Sequence, residues 1–400
     1  MLIAIEATRL LREVRGIGRY VRALLPRLVA SDPDMRLVLF VKRARDVTAL
    51  SEIVAHDPGL AARVGVRQVR ELPRFAADVF WYPWNVMRPP PRRGAVVVTM
   101  HDVAPLVLPD PRWYAWRKNA RWRSRFAATA RSATLVVADS AFTAAEVQRV
   151  LHIAPERIRV VLLAADDFAV GGPTDGDAAA LARLGVATPF VLTVGAADRR
   201  KNHAQLEQAM EHVVLAHPRA TLVQAGPRRD EKQVTPDARW QRTLGFVSDD
   251  DLVSLYRSAA ALVMVSTYEG FGLPVLEAMQ LGTPVICARA SSLPEVAADA
   301  ALWVEPGDAV MLAGAIASVL QDQGLRNRMG KAGISRSAQF TWDETARQTV
   351  EAFHAARHMY ALSRLQTPTP VGASVLNVEP FAAPSSTAPP RSGSPPPPAR

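Results

Sequence analysis

Short apolar runs alternate with amphipathic stretches along most of the chain. The runs Leu2–Glu6, Leu37–Val41, Val79–Tyr82, Ala95–Met100, Leu135–Ala138 and Ile158–Leu163 predict strands in the first half. In the second half the strand candidates are Phe190–Gly195, Ala220–Ala225, Ala260–Ser266, Pro284–Ala288 and Ala301–Val304. Helical spacing fills most of the intervals between them. Apolar strands alternating with helices predict an α/β chain whose parallel sheets are covered on both faces. The glycine-rich, turn-forming stretch at 171–178 breaks this rhythm and is the candidate hinge. The expected layout is therefore a Rossmann-like domain over 1–170, a hinge at 171–178 and a second Rossmann-like domain over 179–340. Two doubly wound, parallel-sheet domains facing each other place a ligand cleft at the carboxyl ends of their strands. A C-terminal helix is expected over 341–362. From 363 to 400 the composition turns to proline, serine and small residues without apolar period, which predicts a disordered tail.

Composition narrows the function classes. No apolar run reaches the ~18 residues that a membrane-crossing helix needs. The N-terminus lacks the basic start of a secretory signal and reads as a first strand. A single cysteine, Cys287, excludes an intrachain disulfide framework and fits a reducing cytoplasm. It lies in an apolar run and is expected to be a buried thiol. The net charge of +10 points to an acidic partner: anionic lipid, nucleic acid or a phosphorylated substrate.

The most informative segment is Tyr268–Gln280. Glu269 and Glu277 stand eight residues apart, around a Gly-x-Gly turn that follows a strand candidate and precedes a helix start. Pro274 suits the first helical position and Gly282 the residue just past the helix end. A helix N-terminus favours phosphate through its unpaired N–H groups and its dipole. Carboxylates repel phosphate but accept hydrogen bonds from hydroxyls. A segment offering both suits a sugar joined to a nucleotide diphosphate.

Other segments add to this. Arg199, Arg200 and Lys201 crowd a loop between a strand and a helix, which suits a diphosphate; a solvated charged loop is the alternative. Gly16 and Gly18, in GIGRY, permit close backbone approach, although by itself the pattern reads as an ordinary loop. His101 and Asp102 follow a strand and should face the cleft, where the histidine could relay a proton or simply pair with neighbouring backbone. Residues 111–132 interleave Arg112, Arg117, Lys118, Arg121, Arg123, Arg125 and Arg131 with Trp113, Tyr114, Trp116, Trp122 and Phe126, with no acid between them. Such a helix suits an anionic bilayer surface, with nucleic acid or a core-facing helix as competing readings. Asp249–Asp251 read as helix capping in preference to a metal site. No zinc spacing and no P-loop are present in the sequence.

With these residues together, the chain resembles family 4 of the retaining glycosyltransferases, which has the GT-B fold. The resemblance covers roughly residues 1–360 and is most specific from Leu244 to Asp308, including an E-x7-E motif. GIGRY at Gly16, HDVAPLVLPD at His101, PERIRVV at Pro155, RRKN at Arg199 and FTWDETA at Phe340 also match. The resemblance implies that Glu277 holds the ribose hydroxyls and that Glu269 contacts the donor sugar near its 3-hydroxyl. It implies that Arg200 and Lys201 neutralise the departing diphosphate. The backbone of Gly270, Phe271, Gly272 and Leu273 would cradle sugar and phosphates, and Gly16 would approach the diphosphate from the opposite domain. His101 would sit against the transferred sugar, and Phe246 and Val247 would flank the base. Many relatives have arginine where Ala196 stands, so the phosphate clamp would rest on Arg200 and Lys201 alone. No metal or other cofactor is expected.

The resulting expectation is a retaining hexosyltransferase using a nucleotide sugar, with mannose from GDP-mannose as first choice and UDP-glucose open. The acceptor is expected to be a growing, lipid-linked surface polysaccharide, and the enzyme to lie cytoplasmic and peripheral on an anionic membrane face. Nucleic acid is not an expected partner. The alternatives are a transferase with a soluble acceptor and a non-catalytic nucleotide-sugar-binding scaffold.

Overall fold

The computed structural model describes residues 1–13, 16–109, 111–112, 115–165, 174–196, 198–227 and 238–366. The apolar runs form the strands of two sheets. The first contains β1 (Leu2–Glu6), β2 (Arg36–Val41), β3 (Val64–Gln68), β4 (Val79–Tyr82), β5 (Ala95–Met100), β6 (Leu135–Ala138) and β7 (Ile158–Val160). They pair in the order β3-β2-β1-β4-β5-β6-β7, every pairing parallel. The second contains β8 (Phe190–Val194), β9 (Thr221–Ala225), β10 (Gln241–Gly245), β11 (Ala261–Met264), β12 (Val285–Ala288) and β13 (Ala301–Val304). Its order is β10-β9-β8-β11-β12-β13, again with parallel pairings. Parallel strands need crossovers, and helices supply them on both faces, so the central strands β4, β5, β6, β11 and β12 are buried throughout.

Two strands carry no apolar run and were not expected: β3, VGVRQ, and β10, QRTLG. Each lies at the edge of its sheet. An edge strand has one neighbour and a partly wet surface, so it tolerates Arg67, Gln68, Gln241 and Arg242.

Strand order reverses direction at β1/β4 in the first sheet and at β8/β11 in the second. At such switch points the loops leaving neighbouring strands diverge and open a crevice. The Gly16 loop follows β1, the Arg199–Lys201 turn follows β8, and the Glu269 loop follows β11.

Of the segment expected as a hinge, residues 171–173 lie outside the described residues. Thr174 caps the helix Asp175–Leu184, accepting from the Asp177 N–H while the Asp177 carboxylate accepts from the Thr174 N–H. The final helix, Trp342–Gln366, extends into the segment expected as tail; the rest of that tail lies outside the described residues. This helix returns to the first domain. Asp343 accepts from Arg27 at 2.8 Å, Thr345 donates to the Leu162 carbonyl at 2.8 Å, and Phe353 packs edge-on to Trp81 with ring centroids 5.6 Å apart. One apolar cluster runs continuously from Ile3 and Trp81 through Trp342 and Phe353 to Phe271 and Met279, joining both domains.

Phe353 is fully buried, so Phe353→Ala should cost about 3–5 kcal/mol through lost transfer and the cavity left behind. Chemical denaturation followed by far-ultraviolet circular dichroism measures this. A loss below about 1 kcal/mol would mean that the helix is not integral to the first domain.

Candidate active site

The second domain supplies a basic turn. β8 ends at Val194 and is followed by Gly195, whose φ of 121° few other residues adopt. A Cβ there would lie 3.2–3.3 Å from the end of the Lys201 side chain, so glycine leaves that side chain its channel. Asp198 then caps the short turn Arg199–Lys201, and Asn202 (φ 51°) leads into the helix His203–Ala216. Lys201 and Arg200 are adjacent but diverge. Lys201 Nζ donates to Glu269 Oε1 at 2.7 Å, with both side chains largely buried. Arg200 reaches across to the first domain and donates to Asp102 Oδ2 at 3.2 Å, with Asp198 at 3.8 Å. Burial works against the Arg200 cation, but Asp102, Glu269 and Asp198 outweigh it and hold its pKa above the ordinary value.

The loop after β11 supplies the acids. Its backbone is held from several sides: the Glu269 N–H donates to Ser291 Oγ at 2.9 Å, and the buried Ser292 hydroxyl reaches the carbonyls of Glu269 and Phe271 at 3.0 and 2.7 Å. Gly270 meets the first domain directly. Its carbonyl accepts from Ser140 Oγ at 2.6 Å and Thr143 Oγ1 at 2.9 Å, and a Cβ on it would lie 1.7 Å from the His101 carbonyl oxygen. Gly272, with φ 114°, opens the helix Leu273–Gln280, and Pro274 sits in its first turn. Phe271 is buried against Phe340, and Leu273 is half-buried. Glu277, inside this helix, has partners separate from those of Glu269. Its Oε1 accepts from Arg19 Nη1 at 3.1 Å and its Oε2 from the Tyr256 hydroxyl at 2.7 Å. Arg19 Nη2 also meets Asp249 Oδ2 at 3.1 Å.

The first domain supplies His101, just past β5. Its Nδ1 lies 2.5 Å from Asp139 Oδ2, its Nε2 lies 2.9 Å from the Pro83 carbonyl oxygen, and Tyr20 packs edge-on against the ring. A carbonyl only accepts, so Nε2 carries hydrogen. An imidazolium donating to Asp139 and Pro83 satisfies both contacts. Burial disfavours the charged ring, yet Asp139, Pro83 and Asp102 together hold the His101 pKa above its ordinary value. Burial raises Asp139 as well, so the pair as a unit keeps its proton longer than the separate groups do. A further cross-domain contact comes from Glu295, whose carboxylate accepts from the N–H groups of Ala141 and Phe142 at 2.8 and 3.3 Å and caps the helix Ala141–Leu151.

The structure thus joins Lys201 to Glu269, sets Gly270 against His101, and ties Arg200 and Glu277 to the first domain. Gly16 opens the helix Ile17–Ser31 with φ 56° and open space where a Cβ would be. Phe246 and Val247 follow the edge strand β10; Phe246 is exposed and Val247 buried. Sequence reasoning missed Arg19, Asp139, Ser140, Thr143, Tyr256 and Glu295 as members of this cleft. Among the described residues no group of His, Cys, Asp or Glu is gathered as a metal site. Asp249–Asp251 form the first turn of the helix Asp249–Ser258, behind the Ser248 cap.

The basic-aromatic stretch divides. Trp113 and Tyr114 lie outside the described residues. In the helix Trp116–Ser132, Phe126 is core, Trp122 is half-buried under Arg125, and Trp116 is 61% exposed beside Arg117. Arg117, Lys118, Arg121 and Arg123 are exposed. Among the described residues no helix is long and apolar enough to cross a membrane.

Two facing α/β domains, with cations and acids meeting at paired switch points, form the GT-B arrangement. Sucrose-phosphate synthase from Thermosynechococcus elongatus shares it, with a TM-score of 0.68 at 21% identity over 90% of this chain and 100% of that one. Anabaena HepE in complex with UDP and glucose shares it with a TM-score of 0.63 at 18% identity, over 89% of this chain and 100% of that one. Residues 183–336 match the family model for glycosyl transferases group 1. The O-antigen chain mannosyltransferase B of Escherichia coli is 32% identical over 275 residues, 66% of this chain and 71% of that protein. The chain belongs to the group 1 glycosyl transferases and is a glycosyltransferase.

The His101–Asp139 pair binds more protons folded than unfolded, so its contribution falls as pH rises. For His101 it is whole below pH 6.5, the ordinary histidine value, and fades as pH climbs through the elevated one. Thermal melting across pH should show this decline above pH 6.5, and Asp139→Asn should remove it; an identical profile in the variant would refute the assignment. In Gly270→Ala the added methyl cannot coexist with the His101 carbonyl, so the domains should part. Small-angle scattering should then give a larger radius of gyration than wild type, and an unchanged radius would contradict the contact.

Proposed function

We propose that the chain is a retaining, family 4 hexosyltransferase that moves a sugar from a nucleotide diphosphate to a growing polysaccharide. The observation that carries this reading is the Lys201–Glu269 pair, at the switch point of the second sheet and beside the helix Leu273–Gln280. In this reading Lys201 and Arg200 stabilise charge growing on the departing diphosphate, with the Gly270–Leu273 backbone beside them. Glu269 accepts a hydroxyl of the transferred sugar, and Glu277, the second acid of the E-x7-E motif, accepts those of the ribose. His101 contributes a cationic edge near the sugar, Gly16 meets the diphosphate from the first domain, and Phe246 and Val247 border the base. The acceptor attacks on the face that the diphosphate leaves, so no protein nucleophile is used. Side chains supply the neutralising charge, so no metal or other cofactor is required.

The name of the Escherichia coli relative favours mannose as the sugar, while the UDP in the HepE complex keeps uridine donors in the panel to be tested. The exposed face of the helix Trp116–Ser132, with Trp116 among arginines and lysine, favours an acceptor met at an anionic bilayer, so the enzyme would act cytoplasmically and peripherally. In this reading the domains divide as 1–170 and 179–340; of the expected hinge at 171–178, Asp175 onward is already helix, so closure would turn about the connection that precedes it.

Purified protein incubated with GDP-mannose, UDP-glucose and related donors should transfer one of them, and NMR of the product should show the anomeric configuration of the donor retained. Lys201→Ala should lower kcat about 10²–10³-fold, the size expected for one preorganised donor to a developing anion. Unchanged turnover in that variant would remove the phosphate-clamp assignment. An inverted product would remove the retaining mechanism, and donor binding without transfer to any glycan acceptor would favour a scaffold.

A further inference from the structure

A buried carboxylate used for recognition must be held in place, and Tyr256 and Arg19 reach Glu277 from opposite sides of the cleft. Tyr256 lies on the helix Asp249–Ser258 of the second domain, is fully buried, and donates to Oε2 at 2.7 Å. Arg19 lies on the helix Ile17–Ser31 of the first domain and donates to Oε1 at 3.1 Å. The other end of the Arg19 fork meets Asp249 at 3.1 Å, in the first turn of the helix that carries Tyr256. Arg19 is 15% exposed and Glu277 9% exposed, so the pair is poorly screened. A planar guanidinium bridging two acids fixes direction as well as charge.

We propose that Arg19 is a positioning residue for Glu277 and makes recognition of the ribose diol conditional on closure of the two domains. The proposal rests on the assignment of Glu277 to the ribose. A carboxylate offers about four acceptor positions over two oxygens. Arg19 on Oε1 and Tyr256 on Oε2 set the plane of the group, and a vicinal diol that bonds both oxygens at once needs that plane set. When the first domain moves away it takes Arg19 with it and withdraws the cation from a buried acid. The carboxylate then keeps Tyr256 on Oε2 but loses the donor that fixes Oε1, and with it the set plane of the group. In this way the first domain selects for ribose although its Arg19 need not touch the nucleotide.

The test is calorimetric binding of GDP, UDP and their 2′-deoxy counterparts to the full chain. Wild type should bind the better ribonucleotide about tenfold or more tightly than its deoxy form, as for loss of a hydrogen bond to a charged group. Arg19→Met and Tyr256→Phe should each reduce that preference to about twofold, on the same scale. Arg27→Met, which removes an ion pair on the same helix away from the cleft, should leave it unchanged. Arg19→Gln serves as a second variant should Arg19→Met fail to melt cooperatively. If wild type does not discriminate, the ribose assignment of Glu277 fails, and the proposal with it. If wild type discriminates and the folded Arg19 variants discriminate equally, the proposal alone is overturned.

Discussion

The cleft exists in this form because Gly270 lies directly against the backbone of His101. A side chain at that position would need space that the His101 carbonyl occupies. Only with that approach can the hydroxyls of Ser140 and Thr143 reach the Gly270 carbonyl, and Glu295 the start of the helix Ala141–Leu151. Both are backbone satisfactions: a loop carbonyl and the N–H groups of a helix end find partners in the other domain instead of water. The ion pairs Arg200–Asp102 and Arg19–Glu277 are then brought into register. Each would contribute little on an open surface. Between two domains, with most of each side chain removed from water, they become sensitive to small displacements. The dense apolar cluster beneath, from Trp81 to Phe271, packs the two domains together in this closed arrangement.

How much of this was legible in the chain depends on whether the signal was local. The central strands were, since a strand buried on both faces must be a continuous apolar run. The edge strands β3 and β10 were not, because partial exposure lets Arg67 or Gln241 stand where a central strand would need valine. The Glu269 loop was also legible. A glycine turn, a proline in the first helical turn and an acid on each side are local grammar, and they need no knowledge of the rest of the fold. Lys201 belongs to the same class, although the sequence allowed it to be an ordinary solvated charge.

Arg19, Asp139 and Tyr256 were hidden for a different reason. Arg19 shares its helix with Arg22 and Arg27, and a basic residue on an amphipathic helix ordinarily faces solvent. Its partner Glu277 lies 258 residues away, and only the packing of two domains brings them together. Asp139 follows an apolar strand and precedes Ser140, where an acid reads as part of a helix start, yet it is fully buried against His101. The return of the helix Trp342–Gln366 to the first domain was hidden as well, since its apolar face fixes that it packs but not on which sheet.

The pairing pattern in the cleft bears on why both kinds of charge are needed there. Lys201 faces Glu269, Arg200 faces Asp102, and Arg19 faces Glu277 and Asp249. A buried cation without its acid, or an acid without its cation, is costly, because desolvation is then uncompensated. An isolated diphosphate that drew Lys201 away would leave Glu269 without its partner in a largely dry site. A diphosphate bearing a sugar brings hydroxyl donors along with its negative charge, so the cation turns to phosphate while the acid accepts from the carbohydrate. Both halves of the pair are then satisfied by one ligand. Under the function proposed here, the Lys201–Glu269 pair discriminates against anions that lack a sugar, and its acid contributes selectivity as much as grip.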